Sequence, residues 1–388
     1  MVVDLHNFSV RFLNICCMLN ALRTLVLISL SFISITSCRP VKALGKNPKG
    51  DDLKRIEALP NYKNDAFQNL YQLPQAPPVV ERKRRPGIFR LFRFLKGQDK
   101  ALLPSEPIAV VDTDVANIRF DKPAVIWFGH SSFLIKTATA NILVDPNFSG
   151  FAGPFKGSIK AFPGTNVYYA EDMPPIDVLI ISHDHYDHLD YLTVKRLKKK
   201  LKRILVPMGV GSHFRHWGFD PAIITEVNWY DSVSINEQVS IVATPAHHRS
   251  NRTMKTRKTL WASYVIEADG YKMYYSGDTG YSPHFKDIGA RYGPFDLALM
   301  ECGQYNVQWP QSHMFPGQVA QASFDLKARM VMPVHWGMFA QSVHAWNEPV
   351  KRFLIAADSL GVKVSVPFIG QPYVVESVIE RVEWWEFF

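Results

Sequence analysis

The stretch Ser182-His183-Asp184-His185-Tyr186-Asp187-His188-Leu189-Asp190 constrains this chain more than any other. Its histidines and aspartates follow directly on the apolar run Val178-Leu179-Ile180-Ile181. Imidazole and carboxylate are the ligand types of zinc and related ions. On a helix, positions two apart point to different sides, so His183 and His185 could not converge there; an extended turn at a strand end lets them. A buried strand delivering this density of ligands to its end predicts a metal site rather than a polar surface loop.

At 388 residues, 47% hydrophobic and 20% charged, the chain suits one large α/β domain with extensions, or two ordinary domains. The net charge of +9 favours an anionic partner, whether phospholipid, nucleic acid or a charged substrate. Cys16, Cys17 and Cys38 lie near the N-terminus and leave only Cys302 in the folded body. That excludes an intramolecular disulfide framework. Cys302, following Leu297-Ala298-Leu299-Met300, reads as a small buried hydrophobe.

Residues 1–38 read as a targeting segment. Arg23 precedes an apolar run from Leu25 to Ile35, shorter than the roughly 20 residues that span a bilayer but suited to a signal-peptide core. Ile35-Thr36-Ser37-Cys38 resembles a bacterial lipobox. The expectation is a lipoprotein acylated at Cys38 and anchored in the bacterial cell envelope, with translation starting at Met1 or Met18. Residues 39–107 form an irregular extension containing a basic, Phe- and Leu-rich run from Arg82 to Lys96. Charge in the headgroups and rings at the acyl boundary suit an anionic membrane surface. Nucleic acid could use the same ingredients, but a lipid anchor upstream points to the bilayer, and no nucleic acid is expected.

The remaining residues, 108–388, read as the main domain, with its compact part starting near Pro123. Ala124–Phe128 and Ser132–Lys136 pattern as paired strands around Gly129-His130-Ser131, and Asn141–Asp145 as a third. A strand is expected at 177–182, then a helix from Tyr191 to Arg203. Further strands are expected at 204–207, 223–229, 239–244, 261–268, 271–277, 297–300 and 330–335, and helices near 209–217, 283–291, 317–328 and 346–360. Strands and helices recur in two halves without the regular spacing of a purely parallel sheet. The α/β fold predicted is a four-layer αββα sandwich.

Three more strand ends carry ligand types: Thr244-Pro245-Ala246-His247-His248, Ser276-Gly277-Asp278-Thr279-Gly280, and Val334-His335-Trp336-Gly337. Ligands arriving from several strand ends are what a rigid, preorganised site needs. Together with the first cluster they suffice for two metals sharing a carboxylate. The motif His-x-His-x-Asp-His, then His, Gly-Asp-Thr-Gly and His resembles the metallo-β-lactamase superfamily. More narrowly, Thr244-Pro245-Ala246-x-His248, Gly277–Tyr281, Arg291–Ala298 and His335-Trp336-Gly337 are similar to the N-acylphosphatidylethanolamine-hydrolysing phospholipase D family and its bacterial relatives, over about Ala124 to Pro349.

The resemblance implies two zinc ions per chain, with iron or manganese as alternatives. His183, His185 and His248 would hold one and Asp187, His188 and His335 the other, with Asp278 bridging. His248 rather than His247 follows from the family's spacing. It also implies a histidine near the metals at His313 and a first-strand Gly-His turn at His130. His130, Tyr305 and Trp309 are expected to contact substrate, Tyr305 and Trp309 together with Phe315 in an acyl groove. The alternatives are a place behind the ligands for His130 and ordinary core packing for the aromatic residues. The activity implied is hydrolysis of a phospholipid phosphodiester to phosphatidic acid and N-acylethanolamine. A metal-bridging hydroxide would attack, with Asp187, Asp278 and His313 as catalytic groups. The alternatives are a lactone or cyclic phosphodiester hydrolase on the same fold, or a catalytically silent lipid-binding lipoprotein. A homo-oligomer is left open.

Overall fold

The computed structural model describes residues 42–73, 102–253, 255–378 and 380–388. The expected signal peptide with Cys38 and the basic run 82–96 lie outside the described residues. The chain divides into Met1–Leu44 and Gly45–Phe388, and the fold below is that of the second unit.

The elements are α1 (Asp51–Glu57), β1 (Tyr62–Lys63), β2 (Ala66–Phe67), β3 (Ala124–Trp127), β4 (Phe133–Lys136), β5 (Asn141–Val144), β6 (Val178–Ile180), α2 (Tyr191–Leu197), β7 (Ile204–Pro207), α3 (Gly211–His216) and β8 (Ile224–Val227). The second half continues with β9 (Ser232–Ser234), β10 (Val239–Thr244), β11 (Ser263–Ala268), β12 (Tyr271–Tyr275), α4 (His284–Arg291), β13 (Leu297–Glu301), α5 (Pro316–Asp325), β14 (Val331–Val334), α6 (Glu348–Ser359) and β15 (Pro372–Val374). One sheet has seven strands in the order β15-β3-β4-β5-β6-β7-β8, the other six in the order β14-β13-β12-β11-β10-β9.

Alternation along each strand, with period two, sorts side chains into layers. Val125, Phe133, Val178 and Ile180 of the first sheet meet Ile241, Tyr264, Leu299 and Val334 of the second in one buried core. The intervening Ile126, Leu134 and Leu179 pack on Val194, Leu197 and Phe214 of α2 and α3. On the far side, Val265, Ala298 and Val331 pack on Phe285, Val319 and Phe353 of α4, α5 and α6. Strands buried on both faces need apolar residues at every position, which is why they stand out in the sequence as short continuous runs. The layers are α, β, β and α, as expected.

Topology puts the ligand-bearing strand ends on one rim. β5 and β6 are parallel, and β3 is antiparallel to β4, which is antiparallel to β5, so β3, β5 and β6 all run the same way. By the same logic β10, β12, β13 and β14 share one direction in the second sheet. An isolated bridge between His130 and Trp336 then joins the sheets at this rim, through His130 N–H to Trp336 O at 2.8 Å and His335 N–H to His130 O at 2.7 Å.

Two expectations change. The helix after the histidine cluster ends at Leu197, with a single 3-10 turn at Lys198–Lys200, instead of reaching Arg203. Ile176 N–H bonds Lys200 O and Lys202 N–H bonds Ile176 O, so tertiary pairing draws the chain into extended form, and the crowded lysines oppose further helix. Residues 45–73 of the N-terminal extension are also part of the compact unit. Ile56, Tyr62 and Phe67 are buried in the inter-sheet core. The sequence hid this because α1 buries only Ile56, so no apolar stripe repeats. The short edge strands β9 and β15 were likewise not expected from the sequence.

Behind His335, Trp336 stacks on Trp127 at 5.5 Å and on Trp384 at 5.3 Å between ring centroids, and all three are buried. Trp336→Ala should therefore lower stability by about 3–5 kcal/mol. Urea unfolding followed by circular dichroism would read this as a lower midpoint; an unchanged midpoint would mean the cluster does not support the rim.

Candidate metal centre

The loop after β6 is shaped before any metal is considered. Ser182 donates its N–H to Asp145 Oδ1 at 2.7 Å and its hydroxyl to Asp145 Oδ2 at 2.5 Å. Leu189 N–H returns to His185 O at 2.8 Å, folding the histidines onto one side. Buried Arg252 clamps both ends, donating to Asp184 O at 3.0 Å and Leu189 O at 2.7 Å, with its guanidinium over the Tyr186 and Trp217 rings. Two carboxylates of the cluster do structural work. Asp184 accepts from Thr259 Oγ1 at 2.8 Å, and Asp190 caps α2 through Leu192 N–H at 3.1 Å.

The distant strand ends close on this loop. His183, His185, His248 and Asp278 form one set of donor atoms within 4.8 Å of one another. His130, Asp187, His188 and His335 form a second, and Asp278, His313 and His335 a third. Asp278 stands between. Its Oδ2 lies 3.7 Å from His183 Nε2 and 3.8 Å from His248 Nε2. Its Oδ1 lies 3.2 Å from His188 Nε2 and 3.1 Å from His335 Nδ1. One carboxylate thus presents one oxygen to each group of histidines.

Protonation favours cation binding. Burial, above all, holds the His183, His248 and His335 imidazoles well below the usual histidine range, in the neutral form that ligates. Burial is the largest single influence on the carboxyls of Asp187 and Asp278 and would raise them. His188 and His130 around the first, and His188, His335 and His313 around the second, together hold both well below the usual carboxylate range. His188 Nδ1 faces Asp145 Oδ2 at 2.7 Å, and Asp145 also accepts from the Tyr275 hydroxyl at 2.6 Å. A carboxylate behind a ligating histidine fixes its tautomer and orientation. His183 Nε2, His188 Nε2 and Asp278 Oδ1 are buried without a hydrogen-bond partner among the described residues. Orphaned buried acceptors of this kind are costly unless something occupies them, and this donor set fits zinc-type ions.

A cavity of about 230 Å³ opens on the centre, lined in part by His185, Asp187, Asp278, Trp309, His313 and His335. Of the residues expected to contact substrate, Trp309 lines it and two do not. His130 is fully buried and bonds Asp187 Oδ2 through Nε2 at 3.0 Å, so it orients Asp187 from behind. Tyr305 is buried, bonds Glu348 through its hydroxyl at 2.6 Å and stacks on His344; Phe315 packs against it. The geometry makes that pair a packed support for the loop, not an acyl groove.

Other groups escaped the sequence reading. Asp145 directly follows β5 as the candidate ligands follow their strands, so its signal was present. Glu301, the last residue of β13, is fully buried with its Oε2 3.6 Å from His313 Nδ1. Burial pushes its carboxyl up to about 7 against the opposing pull of His313, while Glu301, Asp278 and Asp187 together overcome burial to raise the His313 imidazole. Gln341 donates to Asp187 Oδ2 at 2.9 Å from a loop with no pattern to announce it.

The match to known proteins follows the same residues. The family model described as the beta-lactamase superfamily domain matches residues 140–336. An uncharacterised protein of Mycobacterium tuberculosis is 37% identical over 347 residues, covering 87% of this chain and 91% of the relative. The N-acyl-phosphatidylethanolamine-hydrolyzing phospholipase D 1 of Caenorhabditis elegans is 30% identical over 281 residues, 66% of this chain and 77% of the relative. Among solved structures, the metallo hydrolase Igni18 of Ignicoccus hospitalis superposes with a TM-score of 0.51 at 22% identity, over 66% of this chain and 100% of that one. With the layered fold and the convergent histidine–aspartate donors, these likenesses make the chain a metal-dependent hydrolase belonging to the metallo-β-lactamase superfamily.

Proposed function

We propose that this chain is a two-metal phosphodiesterase of phospholipase D type. It acts on N-acylphosphatidylethanolamine-like phospholipids and releases phosphatidic acid and N-acylethanolamine. The observation that carries this reading is the division of the Asp278 oxygens between two groups of histidines. His183, His185 and His248 would hold one ion, and Asp187, His188 and His335 the other. Zinc suits the donors best, and iron or manganese are the alternatives. When bound, the ions supply Lewis acidity and a water acidified enough to attack phosphorus at neutral pH. The substrate class draws on the phospholipase relative and on the basic, aromatic run 82–96 of the sequence. A Cys38 lipid anchor in the cell envelope would deliver the site to its membrane substrate.

The residues divide the remaining work. Asp145 holds the tautomer of His188, and His130 and Gln341 hold Asp187. His313, lining the cavity with Glu301 behind it, is positioned to hold the proton for the leaving alcohol. Water oxygen bonds to phosphorus and gives one proton to solvent, the phosphorus–oxygen bond to the alcohol breaks, the His313 proton passes to that oxygen, and a proton from solvent restores His313.

Asp278→Asn removes the shared charge and should lower kcat/KM by more than about a hundredfold on N-acylphosphatidylethanolamine micelles. Mass spectrometry of the two products reads the loss, and a variant as fast as wild type would sink the mechanism. Elemental analysis of the purified full chain should give two metal ions per chain, with activity lost to a chelator and restored by zinc. Asp145→Asn should weaken metal retention about 10–100-fold while leaving the circular dichroism spectrum unchanged. Should lactones or cyclic phosphodiesters alone turn over, the phospholipase assignment falls and the hydrolase remains.

A further inference from the structure

A second cavity, of about 350 Å³, lies beside the metal centre and shares its wall. His248 and Trp309 line it, together with Asn69, Arg249, Arg257 and Gln308. No carboxylate lines it, and neither guanidinium has an ion-pair partner among the described residues. Concave sites lined by unpaired cations concentrate anions, and guanidinium matches carboxylate geometry in particular. His247, whose Nδ1 is buried without a hydrogen-bond partner among the described residues, also lines this cavity.

The wall is built, not incidental. Asn69 Oδ1 accepts from His248 N–H and Trp261 Nε1–H, both at 3.0 Å. Arg257 is pinned at both backbone groups, through its N–H to Ser250 O at 2.8 Å and from Phe67 N–H to its carbonyl at 2.9 Å. The N-terminal segment therefore sets where Arg257 stands.

Position decides which half of a substrate enters. His248 Nδ1 bonds Ser312 O at 3.0 Å. Ser312 lines this cavity, and the next residue, His313, lines the one over the metal centre. A general acid stands next to the leaving oxygen, so the cavity extends from the leaving-group side. An N-acylethanolamine leaving group carries no charge that would use two arginines.

We propose that this cavity is an anion subsite for the leaving alcohol, and that the enzyme prefers phosphodiesters whose leaving alcohol bears a carboxylate, such as N-acylserine. The inference rests on the phosphodiesterase reading above. It is tested with the full-length holoenzyme on N-palmitoyl phosphatidylserine and N-palmitoyl phosphatidylethanolamine in the same mixed micelles. The ratio of kcat/KM, serine over ethanolamine, should be about tenfold or more, the scale of a charged hydrogen bond. It should collapse towards one in Arg249→Gln/Arg257→Gln. A wild-type ratio of one or less, or a ratio untouched by the double variant, overturns the proposal. Arg249→Gln alone, at an exposed position, should lower the ratio partway and serves where the double variant misfolds.

Calorimetric titration with N-palmitoylserine and N-palmitoylethanolamine separates the two readings. Neither phospholipid being hydrolysed, with the carboxylate ligand still bound more tightly and that preference lost in the variants, removes the phosphodiesterase and keeps the subsite. Equal binding of the two amides removes the subsite.

Discussion

The structure depends on a shared rim. Two sheets packed face to face bring seven strand ends to one edge, and the site exists only because β3, β5, β6, β10, β12, β13 and β14 all finish there. The bridge between His130 and Trp336 locks the sheets at that edge, and stacked tryptophans fill the space behind it. Neither sheet alone could assemble the donor sets, since His183, His185, Asp187 and His188 come from one and His248, Asp278 and His335 from the other.

Strain is concentrated at the same edge. His130, Asp145 and His335 all have positive φ, at 50°, 40° and 67°, a region L-residues with side chains rarely occupy. Such conformations persist where the surroundings over-determine them, and they gather at functional sites. Here the turns are held by the inter-sheet bridge and by Trp127 Nε1–H bonded to His130 O at 2.8 Å. Gly337 must be glycine on a separate ground, since a Cβ would meet the Trp127 ring at 2.9 Å. Rigidity is bought by packing, and the product is a set of imidazoles and carboxylates whose positions are fixed before any ion arrives.

The proton inventory divides along the same line. The His183, His248 and His335 imidazoles are kept neutral and the Asp187 and Asp278 carboxylates ionised, which suits cation binding. The carboxylates around His188 outweigh its burial and hold that imidazole well above the usual range. Farther out, Glu301 and His313 share a more evenly poised pair beside the cavity, where a proton must be available. Two carboxylates at strand ends, one ionised and one raised, show how position on the rim sets chemistry.

The sequence by itself determined the layers and the candidate ligands. Strands buried on both faces must be apolar throughout, so β3 to β7 and β10 to β14 were legible, and the His183 cluster announced its chemistry through density alone. Even the choice of His248 over His247 came from spacing shared with a family. Tertiary structure decided what periodicity does not encode. It set the end of α2, because Ile176 captures the backbone at Lys200 and Lys202. It put Ile56, Tyr62 and Phe67 into the core, because isolated apolar residues reveal burial only through their partners. It moved His130 and Tyr305 from the cavity to its supports, and brought in Asp145, Gln341 and Glu301. A residue's type fixes what it can bond; which neighbour it meets depends on where two sheets, far apart along the chain, bring their ends together.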